Sequence, residues 1–360
     1  MSDSANTDTA FALGPPTARG RLRSTPEDFQ VAEILPFTPD GTGEHLYLHI
    51  RKRDANTAWV AERLARLAGL SPSQVSYAGL KDRHAVAKQW FSLHLPGRDD
   101  PPWRDWQEPD FQVLAGQRHS RKLRRGALSG NRFRIVVREL TDVAPLELED
   151  RWQRLLSGGV PNYFGPQRFG REGNNLRGAL ALFQGRRVKR QQRSLYLSAA
   201  RAYLFNDLLS RRILDGNWCA PLPGEVAMLE GSHSVFPVEA PDITLGERLQ
   251  ALDLHLTGPL WGRGEPMSRG AVRALEEATM AGWPVFRDGL VAAGLAQERR
   301  ALRIVLREPA FSLEGDGLTL AFQLPAGSYA TAVLREMLLD GDGALSLNLP
   351  DVARGPLIDS

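Results

Sequence analysis

The sequence of 360 residues predicts an α+β fold, in which one sheet is built from both ends of the chain and is interrupted by a long insertion. Strand-like alternation of apolar and polar residues dominates before Asp150 and returns near Leu318. Helical patterns dominate between these regions, after the breaker cluster Gly158–Asn162. At about 150 residues per domain the chain is long enough for two domains, so we expect the insertion to form its own domain.

The first region predicts five strands and one clear helix. Asn56 or Thr57 can cap the helix, which Gly69 ends, and a second short helix can start at Ser71. The segment Pro96–Asp110 holds four prolines and many charges, so it predicts a surface loop. The strands are predicted over Phe29–Leu35, His45–Arg51, Val75–Ala78, Val86–Leu95 and the alternating stretch around Phe133–Arg138.

The region after the breaker cluster predicts helices. Ser198 is a suitable cap for a helix that Gly216 ends, and two more helices are predicted over Ala271–Ala281 and Asp288–Leu302. Leu318–Phe322 then returns to strand-like alternation. A turn follows that strand, and the chain enters a last helix whose apolar residues are Val333, Leu334, Met337 and Leu338.

Composition places the chain among globular proteins and excludes several classes. Apolar residues make up 42% and charged residues 24%, which is ordinary for a folded domain with a substantial core. No stretch approaches the 18 or so apolar residues that a membrane span needs, and the N-terminus is not typical of a secretion signal. The single cysteine, Cys219, excludes an internal disulfide and a thiolate zinc cluster. We therefore expect a cytoplasmic protein with no membrane contact.

The net charge of 45 − 42 = +3 is small, but its distribution is uneven. Arg118–Arg138 holds eight basic residues and no acidic one, and Tyr163–Arg201 holds nine basic residues against one acid, Glu172. Like charges in such runs need a counter-charge, so a phosphate-rich partner is the natural interpretation. The alternative is that these arginines form solvated faces.

Several chemistries are excluded by the absence of their motifs. The chain has no phosphate-binding loop, no dinucleotide fingerprint and no nucleophile elbow. His45 and His49 are four residues apart, but on a strand that spacing separates them by about 13 Å. We therefore expect neither a metal nor a cofactor.

The loop Ala78–Ala85 lies between two predicted strands and is the strongest candidate for catalysis. It carries Asp82, flanked by Lys81 and Arg83. A carboxylate on a basic surface weakens binding to phosphate, so a purely binding protein has no use for it there. The alternative is a turn aspartate that caps the loop backbone.

Five segments resemble, in order, the motifs of the TruD family of tRNA pseudouridine synthases. The most specific is Tyr77–Trp90, which looks like the signature of the family, although Ala87 replaces a common threonine. Because five matches occur in the order of the family, this interpretation favours a functional role for Asp82 over a role as a turn-capping residue. The other segments are Thr25–Phe29, Gly126–Phe133, Gly159–Gly170 and Leu324–Ala330.

The resemblance implies a fold and an activity. It implies a pseudouridine synthase catalytic domain with a mixed, mostly antiparallel sheet over residues 19–156 and 306–345, interrupted by an inserted α/β TRUD domain over 157–305. We expect residues 1–18 to be disordered. The implied reaction is the isomerisation of uridine to pseudouridine in tRNA, typically at position 13, without metal or cofactor. The alternative is a non-catalytic RNA-binding protein or RNA chaperone of the same shape.

The resemblance also assigns roles to residues. Asp82 is carried over as the essential aspartate, acting as nucleophile or base, and Arg23 stands where the family usually has a lysine that pairs with it. Lys81 would meet phosphate or the aspartate, and Asn131 would hydrogen-bond uracil or cap a turn. Three aromatic residues would stack on the flipped base or line its pocket: Phe29, Phe133 and Tyr329. The alternative for Phe29 and Phe133 is a place in the core. Tyr329 stands where the family often has Phe.

The basic runs supply the expected RNA contacts. We expect tRNA as the partner, no protein partner, and a monomer. The residues predicted to bind RNA are Arg118, Arg121, Lys122, Arg124, Arg125, Arg168, Arg186, Arg187, Lys189, Arg190 and Arg193.

Overall fold

The computed structural model describes residues 9–106 and 108–340. Contacts between Cα atoms divide these residues into two compact units. The sheet unit consists of Ala18–Pro145 and Leu306–Gly327, so it is built from two separate stretches of chain. The helical unit consists of residues 9–17, Leu146–Val305 and 328–340. The α+β class predicted from the sequence is confirmed.

The sheet unit is one twisted sheet with a helix against it. Its sheet runs in the order β14-β15-β7-β2-β5-β3-β6, with β1 beside β7 and β4 beside β5, and its helix is α1 (Thr57–Leu67). Its strands are β1 (Arg19–Leu22), β2 (Phe29–Ile34), β3 (His45–Arg53), β4 (Val75–Tyr77), β5 (Val86–His94), β6 (Phe111–His119), β7 (Gly130–Thr141), β14 (Arg307–Glu314) and β15 (Gly317–Pro325).

Pairing in this sheet is antiparallel except between β2 and β5 within the described residues. The predicted mixed, mostly antiparallel sheet is therefore confirmed. Strand β15 pairs with β7 from Leu318 opposite Val137 to Pro325 opposite Gly130, so the C-terminal stretch adds β15 and the edge strand β14 to one side of the sheet. The parallel pair β2 and β5 matters for the site, because β5 begins directly after the loop that carries Asp82.

The core of the sheet unit lies between α1 and one face of the sheet. Leu46, Leu48 and Ile50 of β3 are fully buried against Val60 and Leu64 of α1. The spacing of those two helix residues places them on one face, as the sequence predicted. The opposite face of β3 is buried at its start, where Tyr47 packs against Leu123, and exposed at its end. The alternation had predicted that this whole face would be exposed, which is wrong for its first residues.

The helical unit contains seven helices within the described residues and a second, smaller sheet. That sheet has the order β10-β9-β11-β12, with antiparallel pairs throughout. The helices are α2 (Pro145–Gly158), α3 (Asn174–Phe183), α4 (Arg190–Leu214), α5 (Ile243–Gln250), α6 (Gly270–Ala281), α7 (Pro284–Ala292) and α8 (Ala330–Met337). The strands are β8 (Val160–Pro161), β9 (Glu225–Leu229), β10 (Val235–Val238), β11 (Leu254–Leu260), β12 (Glu298–Ala301), β13 (Arg303–Ile304) and β16 (Leu339–Asp340).

Two helix predictions in this unit were wrong at their bounds. Helix α4 begins at Arg190 and not after Ser198, because its first turn, Arg190–Arg193, is entirely polar and has no apolar residue to indicate a helix. The predicted helix Asp288–Leu302 ends at Ala292, and its second half forms strand β12. Gly294, with φ of +80°, follows the last helical turn and is typical of a helix C-terminus.

The N-terminal residues from Thr9 onward are ordered. The Tyr163 hydroxyl donates a hydrogen bond to the carbonyl of Ala10 at 3.0 Å, and a Glu336 carboxylate oxygen accepts one from the amide of Ala12 at 3.0 Å. The prediction of disorder over residues 1–18 is therefore wrong for residues 9–18, while residues 1–8 lie outside the described residues. The missed signal was the apolar Phe11, whose ring the Arg335 guanidinium covers at 4.2 Å.

The observed units and the predicted domain boundaries differ at two helices. Helices α2 and α8 belong to the helical unit, whereas the predicted boundaries assign residues up to 156 and after 306 to the catalytic domain. Residues 341–345 of that prediction lie outside the described residues. No helix of the described part is both long and apolar enough to cross a membrane.

Candidate active site

The loop Ala78–Ala85 connects β4 to β5 and is held from below by buried polar side chains. The Gln89 side-chain amide donates to the Gly79 carbonyl at 2.6 Å, and the Thr57 hydroxyl accepts from the Lys81 amide at 3.1 Å. The Lys52 ammonium donates to the Asp82 carbonyl at 2.8 Å. Sequence reasoning missed all three of these supporting side chains, since each looks like an ordinary polar residue of a strand or helix.

Asp82 projects from this loop with 41% of its side chain exposed. One of its carboxylate oxygens accepts a hydrogen bond from Arg23 Nη2 at 2.9 Å. The guanidinium of Arg23 also lies over the ring of Phe29, with its central carbon 4.5 Å from the ring centroid. Arg23 has φ of +57°, an uncommon backbone conformation for a residue with a side chain. The pairing of Asp82 with a basic residue, implied by the resemblance, is present in the structure.

Lys81 points away from Asp82 and into the sheet. Its ammonium donates to the Asn131 side-chain oxygen at 2.9 Å and lies 3.1 Å from a Glu33 carboxylate oxygen. The expectation that Lys81 meets phosphate or Asp82 is not met, because only 10% of its side chain is exposed. Burial raises the pKa of Glu33, and the neighbouring Lys81 charge opposes that shift. The side-chain oxygen of Asn131 is therefore occupied by Lys81, and Glu33 is a member of this network that the sequence did not reveal.

Phe29 and Phe133 are packed inside the sheet unit. Their rings meet edge to face with centroids 6.1 Å apart, and Phe133 also contacts Phe322 at 5.7 Å. Exposed fractions of 5% and 7% leave little ring surface for a flipped base. The packing favours the core interpretation of both residues, and their stacking role stays a prediction.

Lys52 is a fully buried ammonium beneath the loop. Besides the Asp82 carbonyl, it donates to the Ala55 carbonyl at 2.7 Å. Burial lowers the pKa of Lys52 to about 8, and the Asp82 charge opposes that shift.

Tyr329 lies in the helical unit, directly before α8. Its hydroxyl accepts a hydrogen bond from Arg168 Nε at 2.9 Å, and Arg168 Nη1 donates to the Ser198 hydroxyl at 3.0 Å. The ring of Phe164 meets the Tyr329 ring edge to face at 5.9 Å. Arg168, which the sequence assigned to RNA, is thus engaged with neutral partners of its own unit.

The basic residues before Asn131 divide into two groups. Arg118 is used inside the protein, since its Nε lies 2.5 Å from Asp100 Oδ1 and its other nitrogens donate to backbone carbonyls. The remaining four side chains are exposed and form no ion pair within the described residues, and we call them the 121–125 cluster: Arg121, Lys122, Arg124 and Arg125. The prediction of RNA contact is therefore better supported for this cluster than for Arg118.

A second group of exposed basic residues lies in the helical unit, around the start of α4. Arg193 Nη2 donates a long hydrogen bond of 3.5 Å to the Ala293 carbonyl. The other members are exposed and have no ion pair within the described part of the chain: Arg186, Arg187, Lys189 and Arg190.

A cavity of about 420 Å³ in the sheet unit is lined by part of the 121–125 cluster. Lys122, Arg124 and Arg125 form its basic side, and Tyr77 contributes a ring that lies 5.6 Å from the Arg125 guanidinium carbon. The amide of Gly126 donates to the Ala78 carbonyl at 2.7 Å, which ties the basic loop to the loop of Asp82.

Histidines and carboxylates do not gather into a metal site in the described residues, where no group of three such side chains is placed to hold an ion. The His45 ring stacks on His94 with centroids 4.7 Å apart, and the His49 ring stacks on Trp90 at 4.5 Å.

Comparisons with known proteins agree with this geometry. The family model described as tRNA pseudouridine synthase D (TruD) matches residues 8–185 and 172–337. A tRNA pseudouridine synthase D of Methylococcus capsulatus is 50% identical over 334 residues, which cover 92% of this chain and 94% of that protein. Another, from Nitrosococcus oceani, is 48% identical over 334 residues, covering 91% of this chain and 93% of its own length. A TruD crystal structure from Methanosarcina mazei shares the fold, with a TM-score of 0.70 at 23% identity over 91% of this chain and 95% of that one.

Proposed function

This chain belongs to the tRNA pseudouridine synthase D (TruD) family, and on that premise we propose that it isomerises uridine to pseudouridine in tRNA, at position 13. The observation that carries the proposal is Asp82, an accessible carboxylate held by Arg23 at 2.9 Å on a loop that buried side chains support from below. We assign the catalytic domain to residues 19–156 and 306–345 and the TRUD domain to 157–305. The protein would act as a cytoplasmic monomer with tRNA as its partner.

The reaction explains why a carboxylate is needed. The bond between C1′ and N1 of uridine breaks, the uracil turns, and a new bond forms between C1′ and C5. C5 then loses its proton, and N1 gains one. The uridine must first leave its stack, at a cost of a few kcal/mol. Attack of Asp82 on C1′, addition to the base, and removal of a sugar proton each use an ionised carboxylate.

Arg23 supports the carboxylate in two ways. Its guanidinium donates to Asp82 and keeps a positive charge beside it. Its contact with the face of Phe29 limits the positions that the guanidinium can take. Arg23 therefore restricts Asp82 to the orientations in which one carboxylate oxygen stays free for the substrate.

The RNA backbone would meet the basic residues that have no ion-pair partner within the described residues. The 121–125 cluster lies on the loop that hydrogen-bonds to Ala78, next to the loop of Asp82. Its four charges are uncompensated within the described residues, so phosphate can supply the counter-charge. The exposed residues 186–190 offer a second such surface in the helical unit. These contacts position the backbone, whereas Asp82 acts on the uridine.

The test is the conversion of an unmodified tRNA transcript by the purified protein, with pseudouridine mapped by mass spectrometry. We expect product at one uridine with the parent protein and none with Asp82→Asn, and loss of the same pseudouridine from tRNA of cells without this gene. Binding of tRNA without any product would contradict the proposed enzymatic activity and favour a non-catalytic RNA-binding protein. Product at a uridine other than position 13 would support the proposed activity and correct the proposed position.

A further inference from the structure

Lys52 is the last but one residue of β3 and has no exposed surface. Its ammonium reaches two main-chain carbonyls, that of Ala55 at 2.7 Å and that of Asp82 at 2.8 Å. The second contact joins it directly to the main chain of the proposed catalytic residue. The first ties the same ammonium to the turn between β3 and α1.

The burial of this charge requires an explanation. Within the described residues Lys52 forms no ion pair. Burying an ammonium without a direct ion-pair partner costs free energy, and an apolar side chain of similar length would avoid that cost. Fold stability alone therefore does not account for a lysine here, whereas a need to hold the Asp82 main chain does.

Lys52 acts together with two other buried side chains. Thr57 at the start of α1 accepts from the Lys81 amide, and Gln89 of β5 donates to the Gly79 carbonyl. The Thr57 hydroxyl in turn donates to the Gln89 side-chain oxygen at 3.0 Å. Three elements thus hold the loop main chain at residues 79, 81 and 82, and the network between Thr57 and Gln89 is satisfied.

We infer that Lys52 is a positioning residue of the isomerisation, which fixes the main chain of Asp82 so that its carboxylate meets the uridine in one geometry. The inference rests on the proposed function. The loop needs such support because its other side is open: Leu80 is 68% exposed and the His84 side chain 74%. A displacement of about 1 Å at a reacting group can cost a factor of about 10² in rate.

The position of Lys52 also predicts a pH dependence. The charged groups that face its ammonium are Asp82, Asp54 and Glu33, which favour the protonated form, and Lys81, which opposes it. Burial outweighs them and lowers the pKa of Lys52 to about 8. The charged form, which donates most strongly to carbonyls, is present below that pH and is lost as the pH rises through it. The reaction should therefore slow above about pH 8.

The experiment measures single-turnover rates at saturating tRNA, the tRNA concentration for half-maximal rate, and the pH profile from 6.5 to about 9.5. Lys52→Met removes the ammonium and keeps an unbranched side chain that is one atom shorter, and Thr57→Val removes the hydrogen bond to the Lys81 amide with little change of volume. Ser92→Ala is the matched control, because Ser92 is equally buried in β5 and hydrogen-bonds His45, and within the described residues its side chain forms no hydrogen bond to the loop. The fraction of folded protein is measured for each variant by thermal unfolding.

We expect Lys52→Met to lower the rate about 10²-fold and Thr57→Val about tenfold, with half-saturation shifted less than about threefold and Ser92→Ala like the parent. The fall in rate above about pH 8 should be absent in Lys52→Met. A Lys52→Met protein that reacts at the parent rate per folded molecule, or keeps the alkaline fall, would overturn the inference. If Lys52→Met does not fold, Thr57→Val at the parent rate would overturn it. A parent protein that makes no pseudouridine would instead refute the proposed function.

Discussion

Two of the arginine–aspartate pairs in the sheet unit, Arg138–Asp28 and Arg23–Asp82, differ in how completely the carboxylate is used. Asp28 is 1% exposed, and Arg138 donates to it three times, at 2.7, 3.0 and 3.0 Å. The Thr25 amide adds a fourth hydrogen bond at 2.9 Å. Asp82 is 41% exposed and accepts one side-chain hydrogen bond, from Arg23.

The difference separates a structural carboxylate from an available one. The oxygens of Asp28 are saturated, so this aspartate fixes the turn before β2 and can accept nothing further. The Asp82 carboxylate keeps lone pairs free. The backbone of its loop, in contrast, is held by three hydrogen bonds from buried side chains. Both aspartates lie in segments that resemble family motifs, so a motif match alone does not tell their roles apart.

The largest expected effect is the loss of catalysis in Asp82→Asn. The change keeps shape but removes the charge, so the single-turnover rate should fall roughly 10³-fold or more, while tRNA affinity stays equal or rises slightly. Folding should be unaffected, because the side chain is exposed. Mass-spectrometric quantification of pseudouridine and filter binding check both parts. A rate within tenfold of the parent would show that Asp82 is not essential.

Arg23 tests whether the partner of the available carboxylate matters for chemistry. Arg23→Ala should lower the rate about 10²-fold at saturating tRNA, because Asp82 loses its orienting donor. Arg23→Lys keeps one donor and one charge, so we expect a rate within about tenfold of the parent. The thermal unfolding midpoint should hardly move in either variant, since this pair is exposed. Equal rates for alanine and lysine would show that the pair does not orient Asp82.

Basic side chains can be divided in the same way, into those that form ion pairs within the protein and those that remain free to bind phosphate. Replacing the 121–125 cluster with alanine removes four uncompensated charges, so about four fewer counterions are released on binding. Each lost phosphate contact lowers the slope of log K against log salt by roughly 0.7 for single strands and roughly 0.9 for duplex, so four lost contacts should lower it by about 3 units. Turnover at saturating tRNA should change much less. The matched control removes four arginines that carboxylates already neutralise: Arg248, Arg269, Arg273 and Arg287.

Filter-binding salt titrations decide this prediction. The control variant should keep a slope close to that of the parent, because its arginines carry their own counter-charges. An unchanged slope in the 121–125 variant would mean that the cluster is a solvated face, and the RNA path would then be sought along residues 186–193.

Asp28→Asn should show the opposite pattern from Asp82→Asn. The rate per folded molecule should equal that of the parent, while the free energy of unfolding falls by about 2–3 kcal/mol, because a buried, charge-assisted pair is broken. The hydrogen bond from Arg138 lowers the pKa of Asp28 below its unfolded value. The stabilisation is therefore full above the unfolded pKa near ~3.9 and is lost as the pH falls through the folded pKa.

Urea denaturation at pH 7 and at pH 3 checks the sign. The difference in unfolding free energy between parent and Asp28→Asn should be larger at pH 7. A loss of rate per folded molecule in this variant would place Asp28 in the chemistry and remove the contrast between the two pairs.

The parts of the site that sequence analysis identified are those with a local signal. The loop of Asp82 is marked by its glycine, its charges and the strands on either side, and the resemblance placed Arg23 beside it. The parts that it missed are Lys52, Thr57, Gln89 and Glu33. Each stands on a strand or helix where its residue type is unremarkable, and its partner lies between 10 and 57 residues away along the chain.

The sequence by itself determined the α+β class, six of the nine described strands of the sheet unit (all but β1, β6 and β14), the position of the reactive loop and the places where basic charge is concentrated. These follow from periodicity, turn residues and composition, which act over a few neighbouring residues. Only the tertiary structure decided which charges are used internally: it paired Arg118 with Asp100, turned Lys81 toward Glu33 and buried Lys52 beneath Asp82. The reason is that burial and hydrogen-bond partners depend on which distant segments the sheet brings together, and no local pattern contains that information.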